Sequence, residues 1–138
     1  MEKNNDANIK KDSKMYGNAA HNIYVQNNVG VESPAKLISM MYEGVLRFNA
    51  QAKKAIKDKD VEKKVYWTNR SIAVVTELIE VLDISQGQIS EYLQGLYTYE
   101  IKLLQLASID NDTEKLDEIS GVVKGLLEAW RDTTDVAN

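Results

Sequence analysis

Between positions 34 and 131, apolar side chains recur every third or fourth residue, in four blocks separated by short polar breaks. That period belongs to helices with one buried face, and no stretch shows the sustained alternation of a half-buried strand. The first block opens on Ser33-Pro34, a serine placed to cap and the chain's one proline at the first helical position, where its missing N–H costs nothing. Leu37, Ile38, Met41, Tyr42, Val45, Phe48, Ala52 and Ile56 then project within an arc of about 160°. Lys36, Ser39, Glu43, Arg47, Lys54 and Lys57 take the other side.

The spacing predicts helices over 34–57, 61–82, 89–109 and 114–131. Asp60 is the expected N-cap of the second helix, whose line is Val61, Val65, Ile72, Val75, Ile79 and Leu82. The third has Ile89, Leu93, Leu96, Leu103 and Ala107 in line, and the fourth Leu116, Ile119, Val123, Leu126 and Trp130. Long amphipathic helices on short connections predict an all-α, antiparallel up-and-down four-helix bundle over 34–132. Residues 1–18 are polar with little to bury and are expected to form a disordered tail. Residues 19–33 carry Ile23, Tyr24, Val25, Val29 and Val31 and are expected to be a flexible segment that docks on the bundle. Residues 133–138 are expected to be a C-terminal tail.

Much chemistry is excluded by what is missing. There is no cysteine, and His21 is the single histidine, so thiol chemistry, cysteine–zinc sites and the Glu-x-x-His pairs of di-iron bundles are ruled out. Phosphate-cradling glycine loops and Ser/His/Asp arrangements are absent. Glu100 projects into the apolar arc of the third helix and is expected to pair or snorkel near a rim. The chain reads as no enzyme, with no cofactor and no metal. Its net charge of −4 disfavours nucleic acid. The lack of a membrane span or signal peptide argues for a cytoplasmic protein without membrane insertion.

The apolar surface exceeds what one bundle core uses. The third helix carries Ile89, Tyr92, Leu93, Leu96, Tyr97, Tyr99, Ile101, Leu103, Leu104 and Leu106 over roughly 220° of its circumference, and the second adds a stripe of Trp67, Val74, Leu78 and Val81. Either these helices sit diagonally or under residues 19–31, or the surplus is a surface for another helix or a second copy. Gly121 and Gly125 project beside the fourth helix's core line, with Ala129, as a smooth strip for a partner helix.

Tyr24-Val-Gln-Asn27-Asn-Val29, then Ser33-Pro34, then Leu37-Ile38-Ser-Met40-Met41-Tyr42-Glu43-Gly44-Val-Leu46-Arg47-Phe48, resembles the flagellin-specific export chaperones of the FliS family. Leu96-Tyr97-Thr-Tyr99 and Leu127-Glu-Ala-Trp130-Arg131 are similar as well, so the resemblance spans about residues 16 to 132. It departs from the family pattern at Met41, where leucine is usual, and in a longer polar N-terminus. It implies a bundle that binds the C-terminal segment of flagellin, prevents premature polymerisation and assists delivery to the flagellar type III secretion gate. Trp67, Val74, Leu78, Val81, Tyr97, Ile101 and Leu104 are then the expected contact residues, with Gly121 and Gly125 beside them. Tyr24 is expected to belong to a displaceable cover, since the family's N-terminal segment can occupy that surface. Alternative readings are a self-associating bundle, as a weak homodimer rather than a monomer, and an adaptor for a co-chaperone or an anti-sigma regulator.

Overall fold

Ser33 begins the part of the chain that the computed structural model describes, residues 33–137, with side chains described for 33–134. Its extended backbone (φ −67°, ψ 153°) lets its hydroxyl accept from the Lys36 N–H at 3.2 Å, and Pro34 starts α1, Pro34–Lys57. Asp58 closes α1, and Lys59 turns the chain with φ 59°. Asp60 then caps α2, Val61–Glu80, by accepting from the Lys63 N–H at 3.0 Å. A short 3-10 turn over Ile84–Gln86 follows, capped by Asp83. Gly87, at φ 80° and ψ −141°, occupies backbone space that side chains with a Cβ rarely enter, and it launches α3, Gln88–Asp110. Asn111 ends α3 in the left-handed region, and the Asp112 carboxylate accepts from the Glu114 N–H at the start of α4, Thr113–Ala137.

Each helix packs on its chain neighbours, and α4 closes the ring against α1. The chain adopts the all-α four-helix bundle its spacing predicts, with no strand among the described residues. Helices α2 and α3 are neighbours and not a diagonal pair, so diagonal placement does not use their surplus apolar area.

Two helices turn a different face inward from the one their hydrophobic pattern indicates. In α2 the buried line is Thr68, Ser71, Val75 and Leu78, continued by Leu82 just past its end, while Val61 and Val65 are exposed. The cause lies on α1 and α4. Asn49 is buried on α1, where its amide donates to Ser120 Oγ at 3.1 Å and accepts from the Ser71 hydroxyl at 2.7 Å. A buried amide needs such partners, and on α2 Ser71 is the one that supplies it. In α3 the buried line is Ser90, Leu93, Tyr97, Glu100, Leu104 and Ala107. Glu100 is 1% exposed and neither carboxylate oxygen has a hydrogen-bond partner among the described residues, so it neither snorkels nor pairs at a rim.

The last helix runs on to Ala137, beyond the end expected at 131 and through the expected tail. The polar run Arg131-Asp-Thr-Thr-Asp continues as helix, and its threonines bond back along it. Thr134 Oγ1 donates to the Trp130 carbonyl at 2.7 Å and Thr133 Oγ1 to that of Ala129 at 3.0 Å. Trp130 ties this end to the start of α1 by donating its indole N–H to the Ala35 carbonyl at 2.8 Å, and Arg131 pairs with Glu43. The two ends of the family-like motif therefore meet in space.

Candidate partner-binding surface

Helix α3 carries two apolar stripes. One residue behind the buried line runs a second, Ile89, Tyr92, Leu96, Tyr99, Leu103 and Leu106, again spaced by three and four and turned by about 100°. Leu103 is buried and Leu96 and Leu106 are half-buried, but Tyr92 is 66% exposed, Tyr99 48% and Ile89 45%. The stripe follows the seam with α4, because the Tyr99 hydroxyl donates to Glu118 Oε2 at 2.9 Å across it. That bond to a carboxylate raises the Tyr99 pKa above the ordinary phenol value. On α4, Val122 and Leu126 are half-buried. The result is an apolar strip with polar tips, wet on one side and anchored on the other, as suits tyrosine at a binding surface.

Gly121 and Gly125 are exposed on α4, and a Cβ added to either meets nothing within 4 Å. No neighbouring helix of the bundle requires their smallness.

The residues expected from the sequence to form the surface are not gathered into one patch. Leu78, Tyr97 and Leu104 are at most 1% exposed and belong to the core, which corrects their assignment to a free surface. The reason is the rotation of α2 and α3 described above; Tyr97 is further held by a hydroxyl–hydroxyl bond to Tyr42. Trp67 is half-buried at the α1–α2 seam, where its ring stacks on Phe48, and Val74 and Val81 follow it at seven-residue steps on that side. Ile101 is half-buried and lies about 200° around α3 from Tyr99, toward α2. Tyr24 lies outside the described residues.

Ile89, Tyr92 and Tyr99 belong to the surplus arc visible in the sequence, but their place at its exposed edge was not evident. The available sign was the pair of tyrosines seven apart, since a phenol favours a boundary where its hydroxyl reaches water or a partner.

The polar groups of this surface are phenols and the Glu118 carboxylate that accepts from Tyr99. No described helix is long and apolar enough to cross a membrane.

Comparison with known proteins gives a consistent result. A family model described as Flagellar protein FliS matches residues 15–137. The chain is 51% identical over 119 residues to a protein of Campylobacter jejuni named Flagellar secretion chaperone FliS, covering 86% of this chain and 93% of that one. A protein of the same name from Bacillus subtilis is 32% identical over 111 residues, covering 78% and 80%. One from Salmonella typhimurium, again of that name, is 27% identical over 118 residues, covering 84% and 87%.

Proposed function

The chain belongs to the FliS family of flagellar proteins, and from that premise we propose that it is a cytoplasmic secretion chaperone for flagellin. It binds the C-terminal segment of flagellin, keeps that segment from polymerising before export, and assists its delivery to the flagellar type III secretion apparatus. The work is binding without catalysis, in keeping with relatives that are named chaperones.

The observation that supports this most is the second stripe of α3. A disordered cargo segment becomes helical or extended on contact, losing conformational entropy that apolar burial must exceed. Tyrosines of this size bury on the order of 150–250 Å² each when fully covered. At about 25 cal/mol per Å², covering Tyr92 and Tyr99 yields a gross gain of several kcal/mol, against which ordering is set. Trp67, Val74, Val81 and Ile101 retain accessible edges at other seams and suit extended pieces of the same cargo. Gly121 and Gly125 suit close approach of a cargo helix. Tyr24 and the segment around it act as a cover, so deleting residues 1–31 raises the association rate. The export gate, a co-chaperone or an anti-sigma regulator are further partners in this reading.

Titration calorimetry with a synthetic flagellin C-terminal peptide tests it. Wild type binds, and Tyr92→Ser/Tyr99→Ser loses about tenfold or more in affinity, equivalent to some 1.4 kcal/mol, while its helical circular dichroism is retained. Wild-type affinity in that double variant would remove the α3–α4 stripe from the binding surface; no binding by either protein would remove the flagellin reading.

A further inference from the structure

On the opposite side of the ring from the tyrosine stripe, the α1–α2 seam carries a different assembly. The Phe48 ring stacks on Trp67 with centroids 5.6 Å apart, and Tyr66 meets the edge of Trp67 at 4.8 Å and 83°. Two guanidinium groups lie against this platform. Arg70 sits 4.8 Å from the Phe48 centroid and 5.6 Å from that of Tyr66, whose hydroxyl accepts from Arg70 Nη1 at 3.4 Å. Arg47 lies 5.7 Å from the same Phe48 centroid. Its guanidinium is folded back along α1, where a Cβ on Gly44 would stand 3.9 Å from Nη2.

Neither arginine meets a carboxylate of a described residue. Among the described residues the ion pairs are Lys53–Asp117, Lys54–Asp58, Lys115–Asp112 and Arg131–Glu43. Glu43, one turn before Arg47 and placed to pair with it, turns to Arg131 instead. Two like charges are thus held beside one ring, each within 5.7 Å of its centre. The surrounding field has the same sign. Helices α1 and α2 carry eight basic and four acidic side chains, whereas α3 and α4 carry four and nine.

Stacking on a ring holds the plane of a guanidinium and leaves N–H edges free to donate. A carboxylate arriving between Arg47 and Arg70 gains charge-assisted hydrogen bonds from side chains already ordered, so less rotamer entropy is lost on contact. The exposed edges of Tyr66 and Trp67 supply apolar contact beside it. With an acidic second hairpin and only two such arginines, the arrangement suits a local acidic motif and not a long polyphosphate chain.

We propose that Arg47, Phe48, Tyr66, Trp67 and Arg70 form a docking site for an acidic segment of a partner polypeptide, one with carboxylates flanking an apolar side chain. The site is separate from the α3–α4 stripe and shares with the proposed cargo contacts only Trp67, whereas Arg47 and Arg70 belong to it alone.

Fluorescence anisotropy tests the proposal on the full chain, with a labelled synthetic peptide of repeated Glu-Ala-Leu-Glu units as probe and a partly Glu→Gln peptide as control. Wild type prefers the glutamate peptide, and added salt weakens that preference. Arg47→Gln/Arg70→Gln lowers affinity for it by about tenfold, the loss expected of charge-assisted contacts. Arg47→Lys/Arg70→Lys keeps part of the affinity, since charge remains but the planar fork is gone. The glutamine double variant keeps wild-type circular dichroism and wild-type affinity for the flagellin peptide, so failure here is distinguishable from failure of the cargo reading. Equal affinity for both probe peptides, unchanged binding by the glutamine variant, or tighter binding of an RNA oligonucleotide through the same arginines overturns the proposal.

Discussion

Tyr42 and Tyr97 meet hydroxyl to hydroxyl at 2.5 Å, joining the diagonally placed helices α1 and α3 through the buried centre of the bundle. Both rings are at most 2% exposed, so the bond forms away from water, where losing a partner is costly. It also fixes the rotation of α3, because Tyr97 can reach Tyr42 only when the line Leu93–Tyr97–Leu104 faces inward.

That bond predicts coupling between the two phenols. Tyr42→Phe and Tyr97→Phe should each destabilise the fold by about 1–3 kcal/mol, and the double variant by less than the two losses added. Urea unfolding of the four proteins of the cycle measures this. Strict additivity would show that the hydroxyls contribute independently.

Glu100 predicts a pH dependence. Burial alone raises its pKa from 4.5 to about 8, and no charged neighbour contributes to the shift. The folded pKa lies above the unfolded one, so between roughly those values the native state holds a proton that the unfolded chain has lost. Stability should therefore be fullest below the ordinary carboxylate range, fall as pH rises toward 8, and level off above it. Asp58, Asp83 and Asp112 have lowered pKa values, so their contributions disappear only in acid, below that window. Chemical denaturation at pH 5.5 and 8.5 should show the decline in wild type and a much flatter response in Glu100→Gln. The variant should gain on the order of a few kcal/mol over wild type at the higher pH. A decline of equal slope in both proteins would place its origin elsewhere.

Gly121 and Gly125 separate stability from function. An added methyl meets nothing in the bundle, and alanine is the better helix former by roughly 1 kcal/mol per site. Gly121→Ala/Gly125→Ala should therefore raise the melting temperature. If a cargo helix approaches α4 closely there, the same variant should bind the flagellin peptide more weakly, and unchanged calorimetric affinity would show that it does not.

The sequence was most informative where its signal is local. Ser33-Pro34, Asp60 and Asp112 are residues that start helices by their own chemistry, and the three-four spacing needs no knowledge of a partner to imply a buried face. The motif from Tyr24 to Phe48 carried the family in the same direct way. Helix faces were less legible. On α2, valine and isoleucine outrank threonine and serine in any hydrophobic pattern, yet Thr68 and Ser71 are buried while Val61 and Val65 are exposed. On α3 two stripes lie side by side, and the one that turns inward carries Ser90 and Glu100 while the more apolar one is left at the edge.

Periodicity, caps and motif residues act within one segment of chain, and from them alone follow the helical bundle, its antiparallel order and its kinship. Which stripe of α3 is spare, and which residues of α2 are core, is set by packing between helices. Those choices depend on Asn49 needing Ser71 and Ser120, and on Tyr97 reaching Tyr42. Each of these bonds joins residues on different helices, and the burial that gives it weight exists only once the helices have packed.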